Sequence, residues 1–211
     1  AADLISTGEL WSHLRISGIE WVIGYSGAVV LGVLLGLAMG GWKPFTRLAG
    51  PYLWAVYAAP WVAFQPLFTV WFGYGPEAVV FLLATAAVFP ILFNAAAGVE
   101  AVDLELTRCA SVFGANTVNR VWRVVLPATT PFIFVGLRHG AVQATLGLLV
   151  GEIVGGSVGL GALISLKTAQ FQVGAAFFLI LIAVLFTSAF NQSLLALGRR
   201  VAPWYFEGVR T

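Results

Sequence analysis

The amino-acid sequence predicts an all-α protein, a polytopic bundle of helices that cross a membrane. Hydrophobic residues occupy 60% of the 211 positions and charged residues only 9%, whereas soluble domains average about 25% charged residues. Long uncharged runs recur along the chain, each long enough to cross a hydrocarbon core of about 30 Å as a helix. The runs are too continuous for the short alternating strands of a membrane barrel. A soluble enzyme and a disordered chain both fit this composition poorly.

Five spans are predicted from these runs. Four derive from stretches that contain no Asp, Glu, Lys or Arg. The run behind the fourth span is interrupted by Arg138, His139 and Glu152, and the long Arg138 side chain is expected to reach a headgroup region. The predicted limits of the spans are 20–41, 51–71, 78–99, 130–151 and 172–197.

The basic residues predict the orientation of the spans. With five spans, the loop 42–50, the segment 100–128 and the C-terminal tail lie on one side of the membrane, and they hold most of the Lys and Arg residues outside the spans. Short loops rich in Lys and Arg are typically cytoplasmic, so the C-terminus is predicted to be inside and Ala1 outside. A further span before Ala1 is therefore expected, which gives six in the full-length protein.

Three regions follow from this topology. Residues 1–19 are predicted to be an extracytoplasmic segment, residues 20–204 the transmembrane domain, and residues 205–211 a cytoplasmic tail. Small residues recur at every fourth position in two of the spans, which predicts tight contact with a neighbouring helix or a second subunit; the glycine frequency common in membrane helices is the alternative. The two series are Gly24, Ala28, Gly32, Gly36, Gly40 and Gly147, Gly151, Gly155, Gly159.

The second span contains Pro60 and Pro66, which lack a backbone N–H, so this helix is predicted to be kinked or locally unwound. Broken helices at membrane depth tend to line cavities. Residues of this region are therefore candidates for a translocation pathway, with ordinary aromatic packing as the alternative. The candidates are Pro60, Trp61, Phe64, Gln65 and Phe68, joined by the polar residues Asn94, Gln143, Thr145 and Glu152.

Glu152 admits two interpretations, because a carboxylate within a membrane is costly and commonly functional. It is either a gate or pathway residue, or a carboxylate held near the membrane interface by helix-end donors. For an anionic substrate a bare carboxylate would repel the solute, so a structural or gating role is preferred to direct ligation.

The segment 103–127 is predicted to form two short amphipathic helices, because apolar residues recur with helical spacing on either side of a phase break at Gly114–Asn116. Asn116 is expected to cap the second helix and Pro127 to end it. Thr130 is then expected to cap the next span, with Pro131 in its first turn. The pair of helices either lies in the membrane interface or docks a cytoplasmic protein.

This segment resembles a known motif. Gly114, nine further residues and Val124-Val125-Leu126-Pro127 resemble the second half of the "EAA" motif of membrane subunits of bacterial binding-protein-dependent ABC importers. The flanking sequence, from about His13 to Trp204, is similar to the nitrate, taurine and sulfonate branch. The residues that carry this similarity include Trp71-Phe72-Gly73-Tyr74-Gly75, Gly136-Leu137-Arg138 and Gly159-Leu160-Gly161.

The resemblance implies a set of partners. They are two ATP-binding subunits that hold ATP and Mg, a second permease copy in a homodimer, a periplasmic or lipid-anchored solute-binding protein and membrane lipid, with no nucleic acid. It also implies a bacterial inner-membrane location and a small organic or inorganic anion, such as a sulfonate or nitrate, as substrate. The residues implied in ATPase coupling are Arg108, Cys109, Ala110, Gly114, Ala115, Asn116, Val124, Leu126 and Pro127.

Two positions depart from the family pattern. Arg108-Cys109-Ala110 stands where the motif has Glu-Ala-Ala, which puts the polar contacts with the ATPase in question. Pro60 is followed by Trp61 where the branch has a second proline, which suggests altered selectivity or a different gate.

Catalytic and metal residues are not expected in this chain. It lacks the Gly-x4-Gly-Lys-Ser/Thr pattern of a nucleotide-binding loop, and one Cys with two distant His residues makes no metal cluster. The energy for transport, and any ATP and Mg, is therefore expected to come with another chain. An ion-coupled secondary transporter and a non-transporting membrane scaffold are the two alternatives.

Overall fold

The computed structural model describes residues 8–156 and 158–204, and all the regular structure in these ranges is helical. Two elements depart from α geometry, a 3-10 turn at Trp61–Phe64 and a π turn at Val121–Val125. The α-helices are α1 (Glu9–Gly41), α2 (Lys43–Tyr57), α3 (Gln65–Phe72), α4 (Pro76–Glu100), α5 (Leu104–Val112), α6 (Thr117–Arg120), α7 (Leu126–Gly155), α8 (Leu160–Ala169) and α9 (Val173–Val201).

The membrane-spanning helices agree with the predicted bundle. Among the described residues, four helices are long and apolar enough to cross a membrane: α1, α4, the continuous helix Thr117–Gly155 and α9. The second predicted span, 51–71, consists of two helical pieces, Lys43–Tyr57 and Trp61–Phe72, which are bent by 80° relative to each other. The predicted break is confirmed, and it lies at Pro60, which cannot donate a backbone hydrogen bond.

The first helix begins at Glu9, which corrects the predicted start near residue 20. Polar residues of the predicted extracytoplasmic segment have partners elsewhere in the bundle. Ser17 and Glu20 are almost fully buried, and His13 lies 2.8 Å from the carbonyl oxygen of Gly159. Residues 1–7 of the predicted segment 1–19 and the predicted tail 205–211 lie outside the described residues. The side of the membrane on which residues 1–19 lie stays a prediction.

Helix α4 is the centre of the bundle, with α1 on one side and α7 on the other. A Cβ at Gly32 of α1 would lie 2.9 Å from the Cβ of Ile91, and a Cβ at Gly140 of α7 would lie 2.7 Å from its Cγ1. Contacts this short are not tolerated, so only glycine allows both helices to approach α4 this closely. The partner of the first small-residue series is therefore a helix of the same chain.

Pro127 does not end a helix, contrary to the prediction. The chain continues without interruption from Thr117 to Gly155, and the π turn before Pro127 has the Leu126 N–H donating to the carbonyl of Val121, five residues earlier. A π turn widens the backbone where a proline ring would otherwise collide with the preceding turn. Thr130 accordingly lies inside the helix, where its hydroxyl donates to the Leu126 carbonyl at 2.8 Å, and Pro131 is also internal.

Candidate functional site

The segment 104–125 between α4 and α7, named here the docking segment, has the predicted two-helix form. Gly114 has φ +81°, a left-handed conformation that favours glycine, and it makes the turn between α5 and α6. The side chain of Asn116 caps α6 by accepting a hydrogen bond from the backbone N–H of Asn119 at 2.8 Å. Arg120 donates to the Ser111 hydroxyl at 3.3 Å and so joins the two helices.

The docking segment presents apolar side chains that no part of the described chain covers. Val112 and Phe113, beside the Gly114 turn, are 86% and 90% exposed, and Trp122 is 65% exposed. Exposed apolar side chains of this kind fit both predicted alternatives, a contact with a partner protein and a position in the membrane interface. Of the predicted coupling residues, Arg108, Cys109, Gly114 and Asn116 are exposed, whereas Ala110, Ala115, Val124, Leu126 and Pro127 are half-buried.

A cleft of about 370 Å³ lies where α2, α4 and α7 meet. It brings together Asn94 and Gln143, two of the predicted pathway residues, from different helices. Sequence reasoning missed all six of the other residues. The only local signal is that some of them lie three or four positions apart, such as Trp54 with Tyr57 and His139 with Gln143. The lining residues are Trp54, Tyr57, Pro90, Phe93, Asn94, His139, Val142 and Gln143.

Aromatic rings form one wall of this cleft. The rings of Trp54 and Phe93 are stacked with centroids 3.8 Å apart, and Tyr57 lies 5.3 Å from Phe93. The predicted pathway residue Trp61 lies outside the cleft lining, where it stacks on Phe89 at 5.6 Å, and Pro60 is exposed at the helix break.

Three other predicted pathway residues of the broken span pack against α4 or α7 instead. Phe68 is 2% exposed and forms an apolar cluster with Ala78 and Leu82, against which Phe64 packs. Gln65 is fully buried and donates to the Gly151 carbonyl at 3.4 Å. These contacts match the packing alternative, and a pathway role for the three residues stays a prediction.

Thr145 lies away from the cleft, because Gln143 and Thr145 are about 200° apart around a helix. Its hydroxyl accepts hydrogen bonds from Trp21 at 3.1 Å and from Thr187 at 3.0 Å. It therefore joins α1, α7 and α9 in the interior of the bundle.

Glu152 is fully buried near the end of α7, and its side chain caps the N-terminus of α8. Its carboxylate accepts hydrogen bonds from the Ser17 hydroxyl at 2.5 Å and from the Gly161 N–H at 2.6 Å. The Ser17 oxygen in turn accepts from the Leu160 N–H at 2.7 Å. The first N–H groups of a helix have no partner within it, so this geometry matches the interpretation of a carboxylate held by helix-end donors. Sequence reasoning did not connect Ser17 with this site.

The carboxyl group of Glu20 adjoins that of Glu152 and interacts with it directly. One oxygen of the Glu20 carboxyl, Oε2, is buried without a hydrogen-bond partner in the described structure. Two carboxyl groups from α1 and α7 thus share one buried site, next to His13 and Ser17.

Comparison with known proteins identifies the family. The family described as "Binding-protein-dependent transport system inner membrane component" matches residues 28–207, most of the chain. The chain belongs to this family. The resemblance noted for the docking segment is thereby confirmed, and this inner membrane component is a multi-pass membrane protein of a transport system.

Several curated relatives of this inner membrane component are permeases. It is 35% identical over 162 residues to the putative aliphatic sulfonates transport permease SsuC of Bacillus subtilis, an alignment that covers 77% of this chain and 59% of the relative. It is 32% identical over 200 residues to the taurine transport permease TauC of Escherichia coli, covering 94% and 72%. The nitrate import permease NrtB of Leptolyngbya laminosa is 28% identical over 139 residues, covering 66% and 50%.

A solved structure shares the fold. The crystal structure of an amino acid ABC transporter with histidines superposes with a TM-score of 0.75 and covers 94% of this chain and 97% of that chain, at 19% identity. At this level of identity the likeness concerns the arrangement of the helices.

Proposed function

We propose that this inner membrane component is the membrane-spanning permease subunit of a bacterial ABC importer. Two copies form a homodimer with an alternating-access pathway, and two ATP-binding subunits, which hold ATP and Mg, dock on the cytoplasmic side. A periplasmic or lipid-anchored binding protein delivers a small organic or inorganic anion, such as a sulfonate or nitrate. In this topology the C-terminus is cytoplasmic.

The exposed docking segment is the observation that carries the proposal. Its apolar residues Val112, Phe113 and Trp122 surround a Gly114 turn that is fixed by the Asn116 cap. An exposed apolar segment of this kind fits a groove in a partner protein. ATP drives transport if the closed ATPase pair binds one state of the pathway better than the other, which shifts the population of the two states.

The cleft between α2, α4 and α7 supports a pathway in the same chain. It contains the polar residues Asn94, His139 and Gln143 beside an unwound piece of backbone. Irregular backbone at membrane depth is tolerated where it is buried in protein or lines a water-filled cavity. The side chains of this cleft are therefore the proposed contacts of the solute.

Co-purification of the ATPase tests the proposal. Phe113→Asp places a charge in the apolar docking surface, so we expect at least a tenfold loss of bound ATPase from the detergent-solubilised complex. Phe171→Asp is the matched control, because Phe171 is 91% exposed in the loop between α8 and α9, on the predicted opposite side of the membrane. ATPase retained at full stoichiometry by the Phe113 variant would contradict the docking assignment.

A second candidate function is ion-coupled secondary transport. The observation that favours it is the buried carboxyl pair Glu20 and Glu152, since ionisable groups inside a membrane commonly mark proton or ion relays. Uptake into proteoliposomes that follows a proton gradient in the absence of ATP would support this candidate, and uptake that requires the ATPase and ATP would exclude it.

A further inference from the structure

The cleft between α2, α4 and α7 combines aromatic rings with neutral hydrogen-bonding groups. Its volume of about 370 Å³ falls within the ~300–1,000 Å³ typical of sites for organic ligands. Among the described residues that line it, none carries a carboxylate, ammonium or guanidinium group. A bare inorganic anion would lose its hydration there without gaining an ionic partner, which is unfavourable.

The aromatic wall has ring surface available to a ligand. Trp54 is 53% exposed and Tyr57 is 39% exposed, although both rings contact Phe93. Stacked rings prefer offset or edge-to-face arrangements with other flat π systems. A flat ring that enters the cleft can therefore extend the existing stack on its uncovered side.

Polar groups lie on the opposite wall. His139 and Gln143 are four residues apart on α7, so their side chains are neighbours on one face of the helix. A glutamine amide offers two N–H donors and an imidazole offers at least one. The Asn94 amide already donates to the Pro90 carbonyl at 2.8 Å, which leaves its own carbonyl oxygen as an acceptor. Hydrogen-bond donors of His139 and Gln143 are thus available across the cleft from the rings.

We propose that this cleft binds the flat ring of an organic solute whose rim carries hydrogen-bond acceptors, and that it does not select bare inorganic anions. The ring stacks on Trp54 and Tyr57, and the acceptors on its rim receive hydrogen bonds from His139 and Gln143. This inference rests on the proposed function and narrows its substrate class from small anions in general to ring-containing ones.

Two probes with the same sulfonate group, one with a ring (2-naphthalenesulfonate) and one without (methanesulfonate), isolate the contribution of the ring to binding. The fluorescent probe 2-naphthalenesulfonate is titrated into the purified permease–ATPase complex in lipid nanodiscs, with methanesulfonate and nitrate as competitors. We expect saturable binding that a hundredfold excess of either competitor does not displace. Trp54→Ala should weaken binding at least tenfold and Gln143→Ala about fivefold. Trp11→Ala is the control, because Trp11 is 65% exposed and lies outside the cleft.

Three results would overturn the inference. They are displacement of the probe by methanesulfonate or nitrate, unchanged affinity in the Trp54→Ala variant, and non-saturable partition into the lipid that is equal in all variants. The ATPase content of the same preparation reports separately on the proposed function. Loss of the ATPase with retained probe binding would reject the docking assignment alone, whereas a complete complex that fails to bind the probe would reject the cleft assignment alone.

Discussion

The hydroxyl of Ser17 donates a hydrogen bond of 2.5 Å to the carboxylate of Glu152, across a sequence separation of 135 positions. Ser17 also accepts from the Leu160 N–H, and Glu152 accepts from the Gly161 N–H. The two side chains therefore satisfy the first N–H groups of α8, a helix of ten residues that has no side-chain cap of its own. The position of α8 thus depends on residues of α1 and α7.

Removal of this carboxylate should loosen α8. Glu152→Ala leaves the Gly161 N–H and the Ser17 hydroxyl without their acceptor, and a buried unsatisfied group costs about 1–3 kcal/mol. We expect faster hydrogen exchange at the amides of residues 160–163, measured by mass spectrometry on the protein in nanodiscs. Glu100→Ala, at an exposed position, is the matched control, and equal exchange in the two variants would show that Glu152 does not hold α8.

Substitution of a glycine that faces α4 should separate two helices. Gly32→Leu introduces a side chain whose Cβ alone would lie 2.9 Å from Ile91, and overpacking of this kind typically costs about 1–3 kcal/mol. The unfolding temperature of the purified protein should fall. Gly27→Leu should leave it nearly unchanged, because nothing lies within 4 Å of a Cβ at Gly27 on the same helix. Similar losses at both positions would contradict packing against α4 as the cause, since the helix propensity of leucine is higher than that of glycine.

A cysteine in the docking segment allows binding of the ATPase to be measured. Cys109 is its single cysteine and is exposed on α5. A water-soluble maleimide should modify it rapidly in the isolated permease and at least fivefold more slowly when the ATPase covers the docking segment. Gln172→Cys in a Cys109→Ser background, on the predicted opposite side, should react equally fast in both preparations. Equal rates for Cys109 with and without the ATPase would place the contact elsewhere.

Local features of the fold could be predicted from the sequence. The spans follow from uncharged runs, the break at Pro60 from the missing N–H, and the turn at Gly114 from a phase change in the apolar pattern. Each depends on residues that are neighbours along the chain. The Asn116 cap belongs to the same class, since the residue whose N–H it accepts is three positions away.

Features that depend on distant partners could not be predicted in this way. The polar residues of 9–19 predict a segment outside the first span, and nothing in the sequence shows that Ser17 contacts helix α8, 143 positions later. Pro127 normally ends a helix, and no sequence signal marks the π turn that accommodates it. The cleft likewise depends on how three helices meet, so Trp54 and His139 gave no sign of proximity.

The continuity of the helix Thr117–Gly155 has a mechanical consequence. Its 39 residues correspond to a rod of about 58 Å at 1.5 Å per residue. One end of the rod is part of the docking segment, and Glu152, which holds the start of α8, lies in its last turn at the other end. Because the backbone is helical over this whole length, the docking segment and the start of α8 are joined by one element with no intervening loop, and the π turn before Pro127 is the point where that element can bend.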